Sequence, residues 1–203
     1  MTRSPFSAFA GERMTGIGHN QGPPMDAGHS FRRFAWKKAR ADLLPRLPLE
    51  VVRRRVRRAQ QLGLAYPQYA SILLGTGRDI VGFLFTSDAL GLRLSRTLDL
   101  PEPVGHKLES LAGCERLLMT EEDPSQLSAA LANQIAPRFS GISKAPAQDC
   151  SWSEGRDAMR SALLPLKLPA DGVVMIGTRS QERAWADAAR LAKFLPSEQY
   201  FQV

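Results

Sequence analysis

Ile80-Val-Gly-Phe-Leu-Phe85 is the most apolar run of the chain, and it ends abruptly at Thr86-Ser87-Asp88. Its residues favour a β-strand and do not alternate between apolar and polar. A strand that is apolar at every position is typical of a parallel sheet covered on both faces. The run therefore predicts an inner strand of an α/β domain. The preceding Gly75-Thr-Gly-Arg-Asp79 is interpreted as a turn, since it lacks the lysine and the spacing of a phosphate-binding loop.

Strand-like and helix-like segments alternate after this run. Glu115–Thr120 and Gly172–Gly177 predict strands, and 139–143 predicts a short one. The segments between and after these strands predict helices at 104–112, 124–135, 153–164 and 180–194. Residues 88–96 predict a helical or irregular stretch, and residues 98–103 predict a loop. Tyr200-Phe201 is expected to lie at an edge of the sheet. This alternation predicts an α/β fold with a small, mostly parallel sheet of about four strands and helices on both faces.

An arginine-dense helix is predicted before the sheet, from Leu49 to Leu62. Its apolar residues recur at spacings of three and four, and they predict one buried stripe made of Leu49, Val52, Val56, Ala59 and Gly63. Pro48 suits the start of the helix and Gly63 suits its end. The opposite side carries Arg53, Arg54 and Arg57, with Arg55 and Arg58 on the flanks. Five arginines this close together repel one another unless anions neutralise them.

The net charge is distributed unevenly along the chain. The segment from His29 to Gln60 holds eleven basic and two acidic residues, a net charge of +9, whereas the remaining residues hold 16 basic and 18 acidic ones. Residues 29–44 predict a further basic helix, which ends at Pro45. We therefore expect a disordered tail at residues 1–27, a basic helical segment at 28–76 and an α/β domain at 77–203. A localised basic surface favours a polyanionic partner.

Several classes of protein are disfavoured by the sequence. Cys114 and Cys150 are too few for a disulfide framework, and they lack metal-ligand spacing. No apolar run approaches the roughly 20 residues of a membrane span, and the first 14 residues lack the apolar core of a secretory signal. We therefore expect a cytoplasmic protein with no membrane partner, no metal and no cofactor. The sequence does not indicate an oligomeric state.

One element near the N-terminus carries a resemblance. Residues 16–24 read Gly-Ile-Gly-His-Asn-Gln-Gly-Pro-Pro. They resemble the Gly-Ile-Gly-His-Asn-x-Gly-Pro element near the N-termini of many small, mostly uncharacterised proteins from alphaproteobacteria and their phages. Several of those proteins resemble DNA-associated proteins. The match covers nine of 203 residues, so it implies lineage more than activity, and no functional residue is carried over from it.

The ends of the predicted strands are the places where a ligand site is expected, since ligands of open α/β sheets bind beyond the carboxyl ends of the strands. A candidate anion site is formed by Gly177, Thr178, Arg179 and Ser180, where N–H groups at a helix start and the Arg179 guanidinium favour a negative charge. The alternative is that Thr178 or Ser180 simply caps the helix. Thr120-Glu-Glu-Asp123 can hold a hard cation such as magnesium or cap the next helix. Asp88 can act as a nucleophile, bind a metal ion or cap a helix, and no complete catalytic set is recognisable.

Three functional hypotheses follow from these features. The first is binding of nucleic-acid phosphate by a basic helical surface made of Arg32, Arg33, Lys37, Arg53, Arg54, Arg57 and Arg58. The second is a small phosphate- or nucleotide-binding enzyme that uses the strand-end loops. The third is an interaction module that docks on an acidic protein. A helix-turn-helix is disfavoured, because its second helix reads the DNA, whereas here the first helix carries the arginines and the second, around Tyr66–Leu74, is apolar.

Overall fold

The structure is a computed structural model, and it describes Lys38 and residues 47–94, 98–132 and 139–201, without the side chains of 93–94, 98–99 and 130–132. The predicted tail at 1–27 lies outside the described residues, as does the predicted basic helix at 29–44 apart from Lys38. Residues Pro48–Val203 form one compact unit. This unit therefore contains both the arginine-dense helix and the sheet.

The helices and strands within the described ranges are as follows. The helices are α1 (Leu49–Gln61), α2 (Tyr66–Thr76), α3 (Glu102–Ser110), α4 (Pro124–Ala132), α5 (Trp152–Leu163), α6 (Ser180–Ala189) and α7 (Ser197–Phe201). The strands are β1 (Gly82–Thr86), β2 (Arg93–Leu94), β3 (Leu98–Asp99), β4 (Glu115–Thr120), β5 (Gly141–Lys144), β6 (Val173–Gly177) and β7 (Lys193–Pro196). Two short 3₁₀ helices, Leu164–Leu166 and Ala170–Gly172, connect α5 to β6.

Five strands form one parallel sheet in the order β5-β4-β1-β6-β7. The predicted α/β fold with a parallel sheet is confirmed, but the sheet has five strands within the described residues where about four were predicted. At the centre, Phe85 of β1 pairs with Leu118 of β4 on one side and with Ile176 of β6 on the other. The strand order reverses between β1 and β6. The carboxyl ends of these two strands therefore flank the crevice where open α/β sheets bind ligands.

The strand of this five-stranded sheet that the sequence did not predict is β7. The helix expected at 180–194 ends at Ala189, because Arg190 adopts the left-handed conformation with φ 57°. The Ala192 N–H then donates to the Val173 carbonyl at 2.8 Å, which aligns the chain beside β6. The expected edge at Tyr200-Phe201 is also wrong, since these residues belong to α7 and Tyr200 is buried in the core.

A small antiparallel ladder follows β1. Its strands, β2 and β3, pair Arg93 with Asp99 and Leu94 with Leu98. The sequence predicted a helical or irregular stretch at 88–96 and a loop at 98–103, so the pairing of these two-residue strands is a correction. Strands this short carry no detectable alternation of apolar and polar residues, which is why the pattern did not reveal them.

Alternate side chains of β1 pack in two different core clusters. Phe83 and Phe85 belong to a cluster whose helical members come from α1, α2, α3, α4 and α7. Leu84 belongs to a cluster with α5 and α6. Because α1 shares the first cluster with β1, its surface arginines stand on a helix that is held against the core. No helix within the described ranges has both the length and the apolar character to cross a bilayer.

Candidate functional site

The helix α1 presents the arginines that were predicted to bind phosphate. Glu50 lies in its first turn, where a negative charge complements the helix dipole. At its other end the Gly63 N–H donates to the Gln60 carbonyl, the Leu64 N–H donates to the Ala59 carbonyl, and Gly63 has φ 59°. This left-handed ending confirms the predicted role of Gly63. The predicted buried stripe is wrong at Leu49, which is 62% exposed.

Three of the predicted arginines share the outer surface of α1. Arg53, Arg54 and Arg57 are all exposed, and Arg57 is a neighbour of both others on the helix surface, because it lies four residues after Arg53 and three after Arg54. Arg53 forms an exposed ion pair with Glu50, with 2.7 Å between Nη1 and Oε1. Among the residues that the structure describes, Arg54 and Arg57 pair with no carboxylate. We call these three residues the arginine face.

Arg58 points in another direction and joins α1 to the start of the sheet. Its Nε donates to Asp79 Oδ2 at 2.9 Å, and its Nη2 donates to the carbonyls of Ile80 at 2.8 Å and Gly113 at 3.0 Å. Its Nη1 donates to the Ala112 carbonyl at 3.1 Å. These acceptors engage all three nitrogens of the guanidinium and four of its five N–H groups, so we do not include Arg58 in a phosphate-binding surface. Of the other predicted residues, Arg32, Arg33 and Lys37 lie outside the described residues.

A short network of hydrogen bonds continues from Arg58 under α1. Asp79 Oδ1 accepts from the hydroxyl of Tyr69 on α2 at 2.9 Å and from the Ile80 N–H at 2.9 Å. Burial, followed by this hydrogen bond to Asp79, raises the pKa of Tyr69 to about 12, while the nearby Arg58 and Arg55 oppose that rise. Asp79 therefore holds the Arg58 side chain of α1 and the Tyr69 side chain of α2 in place. The sequence offered no signal for this role, because Asp79 lies in a stretch that was interpreted only as a turn.

The carboxyl edge of the sheet brings together the second set of predicted residues. Arg179 follows β6, and its guanidinium forms ion pairs with Asp88, which follows β1, and with Glu121, which follows β4. The hydrogen bond from Arg179 holds the pKa of Glu121 below its ordinary value, and one from Gln148 assists it. Three strand ends are thus connected through one arginine. The Arg179 guanidinium is therefore engaged by carboxylates of the same chain.

A carboxyl group of the chain also occupies the start of α6. Glu182 is buried, and its Oε2 accepts from the Thr178 N–H at 2.6 Å and from the Arg179 N–H at 2.9 Å. Gly177 permits this arrangement, since a Cβ there would collide with the same oxygen. The helix start is therefore satisfied by Glu182 and not by Thr178 or Ser180. The backbone donors that were expected to bind an external anion already have an acceptor.

The acidic residues after β4 have separate structural partners. Asp123 Oδ1 accepts from the Ser125 N–H at 2.8 Å, which caps α4 as one of the two alternatives predicted. Hydrogen bonds from Ser125 hold the pKa of Asp123 below its ordinary value. Glu121 is engaged by Arg179. Across the part of the chain that the structure describes, no group of three or more acidic, histidine or cysteine side chains is arranged to hold a metal ion.

Comparison with known proteins identified no similar protein. The chain matches no protein-family model, and neither a curated protein nor a solved structure is significantly similar to it.

Proposed function

We propose that this protein binds nucleic-acid phosphate through the arginine face of α1, Arg53, Arg54 and Arg57. The observation that carries the proposal is that all three side chains are exposed on a helix packed against the core, and that Arg54 and Arg57 have no ion-pair partner among the described residues. Arg53 has only the exposed Glu50, and exposed pairs of this kind contribute little to stability. Cations clustered without compensating acids favour a polyanion.

Phosphate is the anion that suits this surface best. The guanidinium presents a planar fork of donors that matches the oxygens of a phosphate. Contacts of this kind position a nucleic acid without reading its sequence. The charge distribution of the chain supports the same conclusion, because the +9 segment between His29 and Gln60 includes the arginine face while the rest of the chain is nearly neutral. The mode of binding is therefore independent of base sequence.

The rest of the sheet domain offers fewer opportunities for an external ligand. We infer that helices cover both faces of the sheet, because alternate residues of β1 pack with different sets of helices. At the carboxyl edge, Arg179 is paired with Asp88 and Glu121, and Glu182 accepts from two backbone N–H groups. We do not propose the phosphate- or nucleotide-binding enzyme, since its expected donors are engaged within the chain.

The proposal is tested by fluorescence anisotropy with generic duplex and single-stranded oligonucleotides across a salt series. We expect the logarithm of the binding constant to fall linearly with the logarithm of the salt concentration. Replacing Arg53, Arg54 and Arg57 together with alanine should reduce the slope by up to about three, or about one unit for each phosphate that the protein no longer neutralises. Absent or salt-independent binding would contradict the proposal.

A matched control separates a specific surface from the effect of net charge. Lys144, Arg160 and Lys193 are exposed and lie on β5, α5 and β7. Their joint replacement with alanine removes the same three charges, and it should leave the slope close to that of the unchanged protein. An equal reduction in both variants would show that only the overall charge matters. A pull-down that captures an acidic protein despite nuclease treatment would favour the interaction module instead.

A further inference from the structure

A recess lies between α1 and α2, beside the arginine face. It has a volume of about 480 Å³, and we call it the arginine recess. Its walls carry Arg54, Arg55, Arg57 and Arg58, and Tyr69 and Leu73 of α2 line it with Val51. Its size falls within the range of roughly 300–1,000 Å³ that is typical of small-ligand pockets. The recess therefore has room for one group of nucleotide size and not for a duplex.

The charge of the recess is strongly positive. Four arginines line it against one acid, Asp79, which leaves a net charge of +3. Both oxygens of Asp79 are engaged, Oδ2 by Arg58 and Oδ1 by the Tyr69 hydroxyl and the Ile80 N–H. Asp79 thus offsets Arg58. Arg54, Arg55 and Arg57 pair with no carboxylate within the described ranges.

The recess and the arginine face share some residues but not others. Arg54 and Arg57 belong to both. Arg55 is half-buried and lines only the recess, close enough to the Tyr69 phenol for its charge to oppose slightly the rise in the Tyr69 pKa that burial and Asp79 cause. Arg53 lies on the exposed face and does not line the recess. Arg55 and Arg53 are therefore residues by which the two surfaces can be tested separately.

We infer that the arginine recess binds the terminal phosphate monoester of a nucleic-acid strand whose internal phosphates lie on the arginine face, an inference that rests on the proposed function. A monoester carries a charge of about −1.5 to −2 at neutral pH, whereas each internal diester carries one negative charge. The doubly charged group therefore gains more from three uncompensated guanidinium groups. Leu73 and Val51, which are only partly buried, supply apolar surface for the attached nucleoside. An internal phosphate is attached to a nucleotide on each side, and the recess has room for only one group of nucleotide size.

The test compares single-stranded oligonucleotides of one sequence with a 5′-phosphate, a 3′-phosphate or hydroxyl groups at both ends. We expect the full chain to bind one of the phosphorylated strands about tenfold more tightly than the hydroxyl strand, the effect of one charge-assisted hydrogen bond. Arg55→Ala should abolish this difference. Arg53→Ala should weaken binding of all three strands by the same factor and preserve the difference between them.

The possible outcomes distinguish this inference from the proposed function. Equal, salt-dependent binding of all three strands overturns the inference and leaves the proposed function standing. A preference that survives Arg55→Ala also overturns it, since the terminal phosphate then binds elsewhere. Absence of binding to any strand overturns the proposed function and this inference together. If Arg55→Ala does not fold, competition decides: a nucleoside monophosphate should displace the phosphorylated strand, and the same nucleoside without phosphate should not.

Discussion

Arg58 of α1 and Asp79, the residue before Ile80 at the entry to the sheet, form an ion pair with 2.9 Å between Nε and Oδ2, across 21 residues of sequence. The Arg58 side chain is only 18% exposed, and its other nitrogens donate to three main-chain carbonyls. One arginine of a highly basic helix is thus a structural connector. Its neighbours on the arginine face, by contrast, are exposed.

Replacing Arg58 with alanine should therefore destabilise the protein. The change leaves Asp79 without its cation and three carbonyls without a donor, which should cost about 2–4 kcal/mol of unfolding free energy. Arg58→Lys should also be destabilising, since one ammonium group cannot replace the planar fork. Urea unfolding followed by circular dichroism measures the effect. Arg57→Ala, the control on the exposed side, should change the unfolding free energy by less than about 0.5 kcal/mol.

A second prediction concerns Gly177 and Glu182. A Cβ at Gly177 would collide with Glu182 Oε2 and come within 2.7 Å of Phe194 Cε2, so Gly177→Ala should cost about 1–3 kcal/mol. Glu182→Ala leaves the Thr178 and Arg179 N–H groups without their acceptor and should cost about 1–3 kcal/mol. In the double variant the loss of unfolding free energy should be smaller than the sum of the two single losses, because Glu182→Ala removes the oxygen with which the added Cβ collides. Full additivity in a double-mutant cycle of urea unfolding would argue against this contact.

The parts of the fold that the sequence predicted well depend on local patterns. β4 was predicted at Glu115–Thr120 and has those bounds, and a strand was predicted at Gly172–Gly177 where β6 is Val173–Gly177. Apolar runs without alternation are sufficient to reveal buried parallel strands. The first strand was predicted two residues early, since Ile80 is buried although the ladder begins only at Gly82. Apolar character indicates burial, and it does not indicate where pairing starts.

The parts that the sequence did not predict depend on distant partners or on backbone conformation. Arg58 differs from its neighbours only through Asp79 and carbonyls as far away as Gly113, so no local pattern distinguishes it. The end of α6 depends on the left-handed Arg190, a conformation that glycine usually marks and arginine does not. The role of Glu182 also carried no sequence signal, because the residue three positions before it is Arg179 and not the serine or threonine of a capping box.

A third prediction concerns the pH dependence of the Arg179 ion pairs. The hydrogen bond from Arg179 lowers the pKa of Glu121 in the folded state. The stability that this pair contributes is therefore present above the ordinary carboxyl pKa of 4.5 and is lost as the pH falls through the lowered folded value. Because these groups are partly exposed, Arg179→Ala should cost less than about 1 kcal/mol at neutral pH. The difference should approach zero in acid.

The direct measurement for this prediction is an NMR titration of the Glu121 carboxyl group. In Arg179→Ala the Glu121 pKa should rise towards its ordinary value, and the urea unfolding curves of the two proteins should converge as the pH is lowered. Arg160→Ala, which removes an exposed arginine on α5, should not move the Glu121 pKa. A Glu121 pKa that is the same with and without Arg179 would refute the assigned cause.

The last prediction concerns Tyr69, which closes the network beneath α1. Tyr69→Phe removes the hydrogen bond to Asp79 Oδ1 and should cost about 1 kcal/mol at neutral pH. The pKa of Tyr69 is raised from 10 to about 12 in the folded protein, so the stability of the protonated phenol is fully present below 10 and is lost as the pH rises towards 12. The cost of Tyr69→Phe should therefore shrink above pH 10, because phenylalanine does not ionise. Urea unfolding in a series of alkaline buffers measures this, with Tyr66→Phe as the control for a tyrosine on the same helix. A cost that stays constant or grows with pH would contradict the raised pKa.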